Sequence, residues 1–195
     1  MSPNKKESEE VKLFGEWDYG TLTVEDPGLR PYISFKPVYV PHTAGRHEHQ
    51  RFQKSQVPIA ERLANELMRP GRAGGKKARS IKMVENALRI INLKTEKNPL
   101  EVLVRTIENS APREDTTRVS YGGVSYNTAV DISPQRRVDI ALRFIAEAAR
   151  KASFGNPKTV DECLAEEIIL ASTADSRSYA VSKKNEMERV AYSSR

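Results

Sequence analysis

The chain is poor in reactive and aromatic residues: one cysteine, one tryptophan and three histidines among 195 positions, with aromatics at 7%. A single thiol excludes an intrachain disulfide and a cysteine-based zinc site, in keeping with a reducing compartment. Cys163 falls near the apolar face of its helix and suits a small core residue better than a nucleophile, since no base accompanies it. No apolar run approaches the roughly 20 residues of a membrane-spanning helix, and the opening Met1-Ser2-Pro3-Asn4-Lys5-Lys6-Glu7 lacks a signal-peptide core. The expected location is therefore the cytoplasm, with no membrane partner. His42, His47 and His49 crowd into one segment without a cysteine nearby, so no metal site is expected there. No carboxylate pair marks a cleft, and neither an enzyme nor a cofactor is implied.

Basic charge is what the chain has. Lysine and arginine total 32 against 26 acidic residues, a net charge of +6 and a pI near 9.4. Such a chain is drawn to polyanions: RNA, DNA or anionic membrane surfaces. Hydrophobic residues at 38% suffice for one compact domain with an appendage or two small ones.

Residues 1 to about 10 are charged and aperiodic, and disorder is expected. Up to Gln56 the prolines 27, 31, 37 and 41 break apolar pieces too short for ordinary helices. This reads as an extended, partly disordered N-terminal extension over 1–56, packing on the body or on a partner. Residues 57–195 read as a helical domain. Helix one follows Pro58 and stops at Pro70-Gly71, and helix two starts near Lys76 and ends near Lys94. Asn98-Pro99 opens helix three, and Ser133-Pro134 opens helix four, which runs to about Ala152. Thr159 and Glu162 form a capping box for helix five, and helix six spans roughly 176–192.

Between helices three and four lies a β-hairpin signal over 118–132. Gly122-Gly123 supplies the two positive-φ positions of a type I′ turn, which places Tyr121 opposite Val124 and Val119 opposite Tyr126. One face then carries Thr117, Val119, Tyr121, Val124, Tyr126, Thr128, Val130 and Ile132. A lone ribbon is marginal in water, so it leans on the helices or reaches into something else. Tyr126 is expected to pack beneath the ribbon, and Tyr121, at the tip, to be free to stack. The fold class is mainly α: a six-helix body with a protruding two-stranded antiparallel hairpin and an extended N-terminal arm.

Two basic features carry the binding argument. Arg69, Arg72, Lys76, Lys77, Arg79 and Lys82 lie among flexible glycines at a helix start, with no acidic residue between Glu66 and Glu85. Free helix N–H groups and dense cations suit a phosphate backbone. A nucleotide-binding P-loop fits poorly, because Lys77 stands where Ser or Thr would ligate magnesium and a helix precedes the loop. On the fourth helix Arg136, Arg143 and Arg150 recur every seven residues as one exposed strip, flanked by Arg137 and Lys151. Glu147 interrupts the strip and could pair with Arg143 across one helical turn. Arg118, Arg136 and Arg137 are expected near the hairpin base, where guanidinium groups can meet phosphates bidentately. The bland alternative for each feature is a solvated basic surface.

From Val57 to Arg195 the chain resembles the small-subunit ribosomal protein seven family. The resemblance rests on Ala64-Asn65-Glu66-Leu67-Met68 leading to Gly75-Lys76-Lys77, on Leu100-Glu101-Val102 to Glu108-Asn109, and on the Gly122-Gly123 hairpin. It continues through Arg136-Arg137, Glu147-Ala148-Ala149-Arg150-Lys151 and Ala180-Val181-Ser182-Lys183-Lys184 with Met187. It implies a primary RNA-binding protein that binds the 3′ major domain of small-subunit ribosomal RNA and nucleates assembly of the subunit head. A position at the subunit interface is implied too, near the exit-site transfer RNA and the messenger RNA path, among the ribosomal proteins of head and platform. Ribosomal RNA contacts then map onto Lys76, Lys77, Arg118, Arg136 and Arg137, and the exit-site tip onto Tyr121, Gly122 and Gly123. No obligate homo-oligomer is implied. Arg69-Pro70-Gly71-Arg72-Ala73-Gly74 lengthens the loop before Gly75, and the first 56 residues have no match in the bacterial pattern, both features of the archaeal and eukaryotic branch. An architectural DNA-binding protein with a β-arm and a helical protein-interaction scaffold remain the competing readings.

Overall fold

A computed structural model describes residues 11–20, 22–45, 47–71 and 73–195. Six helices follow the sequence signals closely: α1 Ile59–Leu67, α2 Lys77–Thr95, α3 Pro99–Ser110, α4 Pro134–Ser153, α5 Val160–Ser172 and α6 Tyr179–Ser193. Proline at the first position of α3 and α4 costs no hydrogen bond, because that N–H would be unpaired anyway. At the α3 start the Asn98 side chain accepts the Leu100 N–H, and at α5 Thr159 and Glu162 complete a reciprocal capping box. Ser133, expected to cap α4, makes no side-chain cap bond. Helix α6 begins at Tyr179, later than expected, with Ser178 as its cap.

Helix α5 is apolar around much of its circumference, as a central helix must be, and α2, α3 and α4 pack around it. Leu88, Ile91, Leu103, Ile107, Leu142, Ile145, Leu164 and Ile168 form the heart of the core and are sealed from solvent. Cys163 is buried there too, as its helical position implied, and burial pushes its thiol up.

The arm is part of this core. Leu13, Trp17, Leu29 and Ile33 are buried with the helices, and Phe14 meets Trp17 edge-on with ring centres 5.9 Å apart. Polar bonds strap the arm along its length. The Asn98 Nδ2 donates to Asp18 O, the Glu108 carboxylate accepts the N–H groups of Glu25 and Asp26, and the Arg62 guanidinium donates to Tyr32 O. The disorder expected of residues 1 to 10 lies outside the described residues.

The hairpin is longer than its signal: β1 runs Glu114–Tyr121 and β2 Val124–Asp131. Its register is the one the turn dictates, Tyr121 opposite Val124 and Val119 opposite Tyr126. Gly122 and Gly123 have φ of +59° and +82°, the left-handed pair that a type I′ turn requires. Helix α6 packs against the ribbon's base, where Ile132 is buried and the Glu188 carboxylate accepts the Arg113 N–H. Beyond the base the ribbon projects. Tyr126 does not pack on the helices as expected; it is 56% exposed, in line with exposed Val119, Val124 and Val130 on the same face. The helices end below it, so this apolar face has nothing of the described chain to cover it.

Candidate nucleic-acid interface

Helix α2 starts at Lys77 with Lys76 as its N-cap residue, after a loop in which Gly71 and Gly75 take φ of +100° and +71°. These left-handed glycines turn the chain sharply out of α1 and leave the α2 N-terminus bare of any side-chain cap. Lys76 and Arg79 are exposed, and among the described residues neither has an acidic partner within ion-pair distance. Lys77 points inward. Its ammonium sits 2.5 Å from Glu61 Oε1 and its side chain is only 22% exposed. Lys82, also exposed, pairs with Glu85 at 3.0 Å. Arg72 lies outside the described residues.

Helix α4 presents Arg136, Arg143 and Arg150 to solvent as the seven-residue spacing required. Arg143 and Arg150 have no acidic partner among the described residues, and Arg136 has only a long contact, 4.0 Å to Asp115 Oδ2. Arg137, next in sequence, turns under the helix start: its guanidinium reaches Asp26 Oδ2 at 3.1 Å and donates to Pro112 O, leaving the side chain 11% exposed. Glu147 pairs with Lys151 at 2.9 Å, not with Arg143. Lys151 also donates to the Tyr179 hydroxyl, and this double engagement draws it toward Glu147. The Lys151 hydrogen bond holds the Glu147 carboxyl below its ordinary range, against partial burial, with a smaller contribution from the Arg69 charge. Arg69, just after α1, thus lies within electrostatic reach of Glu147 on α4.

Arg118 stands opposite Asn127, well up the ribbon instead of at its base, exposed and without an acidic partner among the described residues. At the tip, Tyr121 ends β1 and Gly122 and Gly123 form the turn; the Tyr121 side chain is outside what is described. The structure thus brings Lys76, Arg79, Arg143, Arg150 and, at the rim, Arg136 to the surface as free or nearly free cations. It commits Lys77, Arg137 and Lys151 to internal partners. The acidic partners Glu61 and Asp26 carried no local signal, because each meets its cation far along the chain.

Among the described residues no His, Cys, Asp and Glu group is arranged to hold a metal ion, and no helix is long and apolar enough to cross a membrane. His47 is engaged in the arm, its Nε2 2.8 Å from Thr43 Oγ1.

These features define a class: a basic helical protein with exposed, unpaired cations at its helix surfaces and a projecting β-ribbon. Sequence comparison gives the family. The family model for ribosomal protein S7p/S5e matches residues 29–195, and the chain belongs to that family. A small ribosomal subunit protein uS7 of Methanosphaera stadtmanae is 55% identical over 182 residues, covering 93% of this chain and 97% of that protein. Those of Methanococcus maripaludis and Methanothermobacter thermautotrophicus are 54% and 51% identical, over 95% and 93% of this chain and 100% and 97% of theirs. The match reaches back into the arm to Leu29, so the likeness is wider than the stretch from Val57.

Proposed function

We propose that this chain, a non-enzymatic structural constituent of the small ribosomal subunit, acts by seating its cationic side on the 3′ major domain of small-subunit ribosomal RNA, nucleating assembly of the head. The observation that carries the reading is a group of exposed cations on the α2 start, the outer strip of α4 and the ribbon: Lys76, Arg79, Arg143, Arg150 and Arg118 have no acidic partner among the described residues, and Arg136 has only one at 4.0 Å. A cation without an acidic partner has no intramolecular ion pair to give up before it meets a phosphate. Arg72, in the same loop by sequence, is proposed as a further contact. The ribbon carries the second part of the reading. Its exposed Val119, Val124 and Tyr126 face suits unstacked bases, and its Tyr121-Gly122-Gly123 tip would approach the exit-site transfer RNA and the messenger RNA. Neighbouring ribosomal proteins of head and platform would meet the remaining apolar surface.

The test is binding of the full chain to a transcript of the 3′ major domain, with Lys76→Glu combined with Arg136→Glu as the variant. A loss of binding well beyond tenfold is expected, with the melting temperature retained. Unchanged affinity in the variant, or equal affinity of the wild type for duplex DNA, would overturn the reading.

A further inference from the structure

Two dibasic steps open the two helices of the cationic side, and both divide their labour in the same way. At the α2 start Lys76 faces solvent and Lys77 faces Glu61; at the α4 start Arg136 faces solvent and Arg137 faces Asp26. In each step the inward cation is tied to the arm, Arg137 directly through Asp26 and Lys77 indirectly through Glu61. Glu61, buried on α1, takes Lys77 on one side and on the other accepts the Thr43 N–H at 3.1 Å and the Thr43 hydroxyl at 3.0 Å. Since the Thr43 hydroxyl donates to Glu61, the His47 ring must donate to Thr43, which extends the chain of bonds into the arm's basic end. Gly45 gives the room: a Cβ there would lie 2.7 Å from His47 Nε2. Asp26 is itself an arm residue, fixed by the Glu108 carboxylate at its N–H and by its own bond to the Gly28 N–H.

We propose that Lys77 and Arg137 are positioning residues, with the arm acting as a strap that sets the α2 and α4 starts, and so Lys76, Arg79 and Arg136, at the spacing a phosphate backbone requires. This rests on the reading of the cationic side as an RNA surface, and it reassigns two of its cations from contact to support. The strap fastens on both helix starts while its middle is buried at Leu29 and Ile33, so displacing either fastening frees a helix start that bears the outward cations. A long-range anion effect alone predicts the contrary sign, because removing an acid near a polyanion site raises affinity.

Asp26→Asn separates the two. It deletes a negative charge, keeps the side-chain shape and leaves Arg137 in place. Binding to the 3′ major domain transcript should weaken by about two- to thirtyfold, the range in which residues touching neither partner modulate binding elsewhere. Thr43→Val, which changes no charge, should act in the same direction and guards against a folding artefact at either site. The salt dependence supplies the second readout. Arg136→Met should lower the log–log slope by about 0.9 on duplex RNA regions, as the loss of one phosphate contact does, whereas Arg137→Met should lower affinity and leave the slope unchanged. Equal or tighter binding by Asp26→Asn, or a slope that falls in Arg137→Met as it does in Arg136→Met, overturns the inference while leaving the RNA surface itself standing. Failure of the wild-type chain to bind the transcript would instead remove the reading on which it rests.

Discussion

Replacing Glu61 with alanine tests how much the buried end of the strap holds. The carboxylate is almost fully enclosed and satisfies three donors: the Lys77 ammonium, the Thr43 N–H and the Thr43 hydroxyl. Removing one member of a buried ion pair ordinarily costs about 3–5 kcal/mol, because the other charge stays in poor solvent. Two features place this case at the lower end. Lys77 keeps 22% of its side chain exposed and can turn toward water, and Thr43 is exposed enough for its freed N–H to be hydrated. We expect Glu61→Ala to lower unfolding free energy by about 3 kcal/mol, which for a chain of this size is roughly 6–12 °C in melting temperature. Urea melts of Glu61→Ala, Lys77→Ala and the double variant give the coupling. Because the pair is enclosed, the coupling should exceed about 1 kcal/mol, above the roughly 0.2–1 kcal/mol of exposed pairs. A coupling below about 0.5 kcal/mol, or a Glu61→Ala cost under 1 kcal/mol, would refute the assignment of Glu61 as an anchor.

Three further outcomes follow from particular residues. Partial burial opposes ionisation of Asp26, but the Gly28 N–H and Arg137 outweigh it and hold the carboxyl below its ordinary range; its folded-state pKa is thus depressed. The stability it adds is present above the ordinary carboxylate pKa of about 4 and is lost as pH falls through its lower folded value. The melting-temperature gap between wild type and Asp26→Asn should be full at pH 6 and shrink as pH falls below the ordinary carboxylate range of about 4; a gap independent of pH would contradict the pairing. Tyr126→Ala should change stability by less than about 0.5 kcal/mol, as an exposed site does, yet weaken binding to single-stranded segments of the RNA by about 1–3 kcal/mol per stacked base, measured by titration. Gly122→Ala with Gly123→Ala forces two side chains into left-handed backbone at about 1–2 kcal/mol each, so the ribbon amides should lose hydrogen-exchange protection while the helical melt is unmoved.

What was legible in the sequence was whatever a few neighbouring residues decide. Gly122-Gly123 set the hairpin register, Thr159 with Glu162 set the start of α5, and the seven-residue recurrence of Arg136, Arg143 and Arg150 set the exposed strip. The failures have a common cause in distance along the chain. Asp26 meets Arg137, and Thr43 meets Glu61, only after the helices are assembled, so nothing local distinguishes Arg137 from Arg136 or Lys77 from Lys76. The length of the ribbon beyond the body was equally hidden. A face of Val119, Val124 and Tyr126 reads as a packing face by its alternation, and only the position of α6 below it shows that most of it is left uncovered. Glu147 had two partners available at one turn's distance, Arg143 before it and Lys151 after it. The second prevails because Tyr179 on α6 also binds Lys151.

On the proposed reading, unpaired surface cations, not the total basic charge, bind ribosomal RNA. The most direct measurement is the salt dependence of binding between the full chain and the 3′ major domain transcript. Contacts from Lys76, Arg79, Arg118, Arg136, Arg143 and Arg150 predict a log–log slope of about −4 to −5, between the single-strand and duplex limits for six phosphates. Neutralising Lys76 should make that slope shallower by about 0.7–0.9, while neutralising the internally paired Lys77 should leave it unchanged. A slope near zero, or an equal drop for both lysines, would overturn that reading.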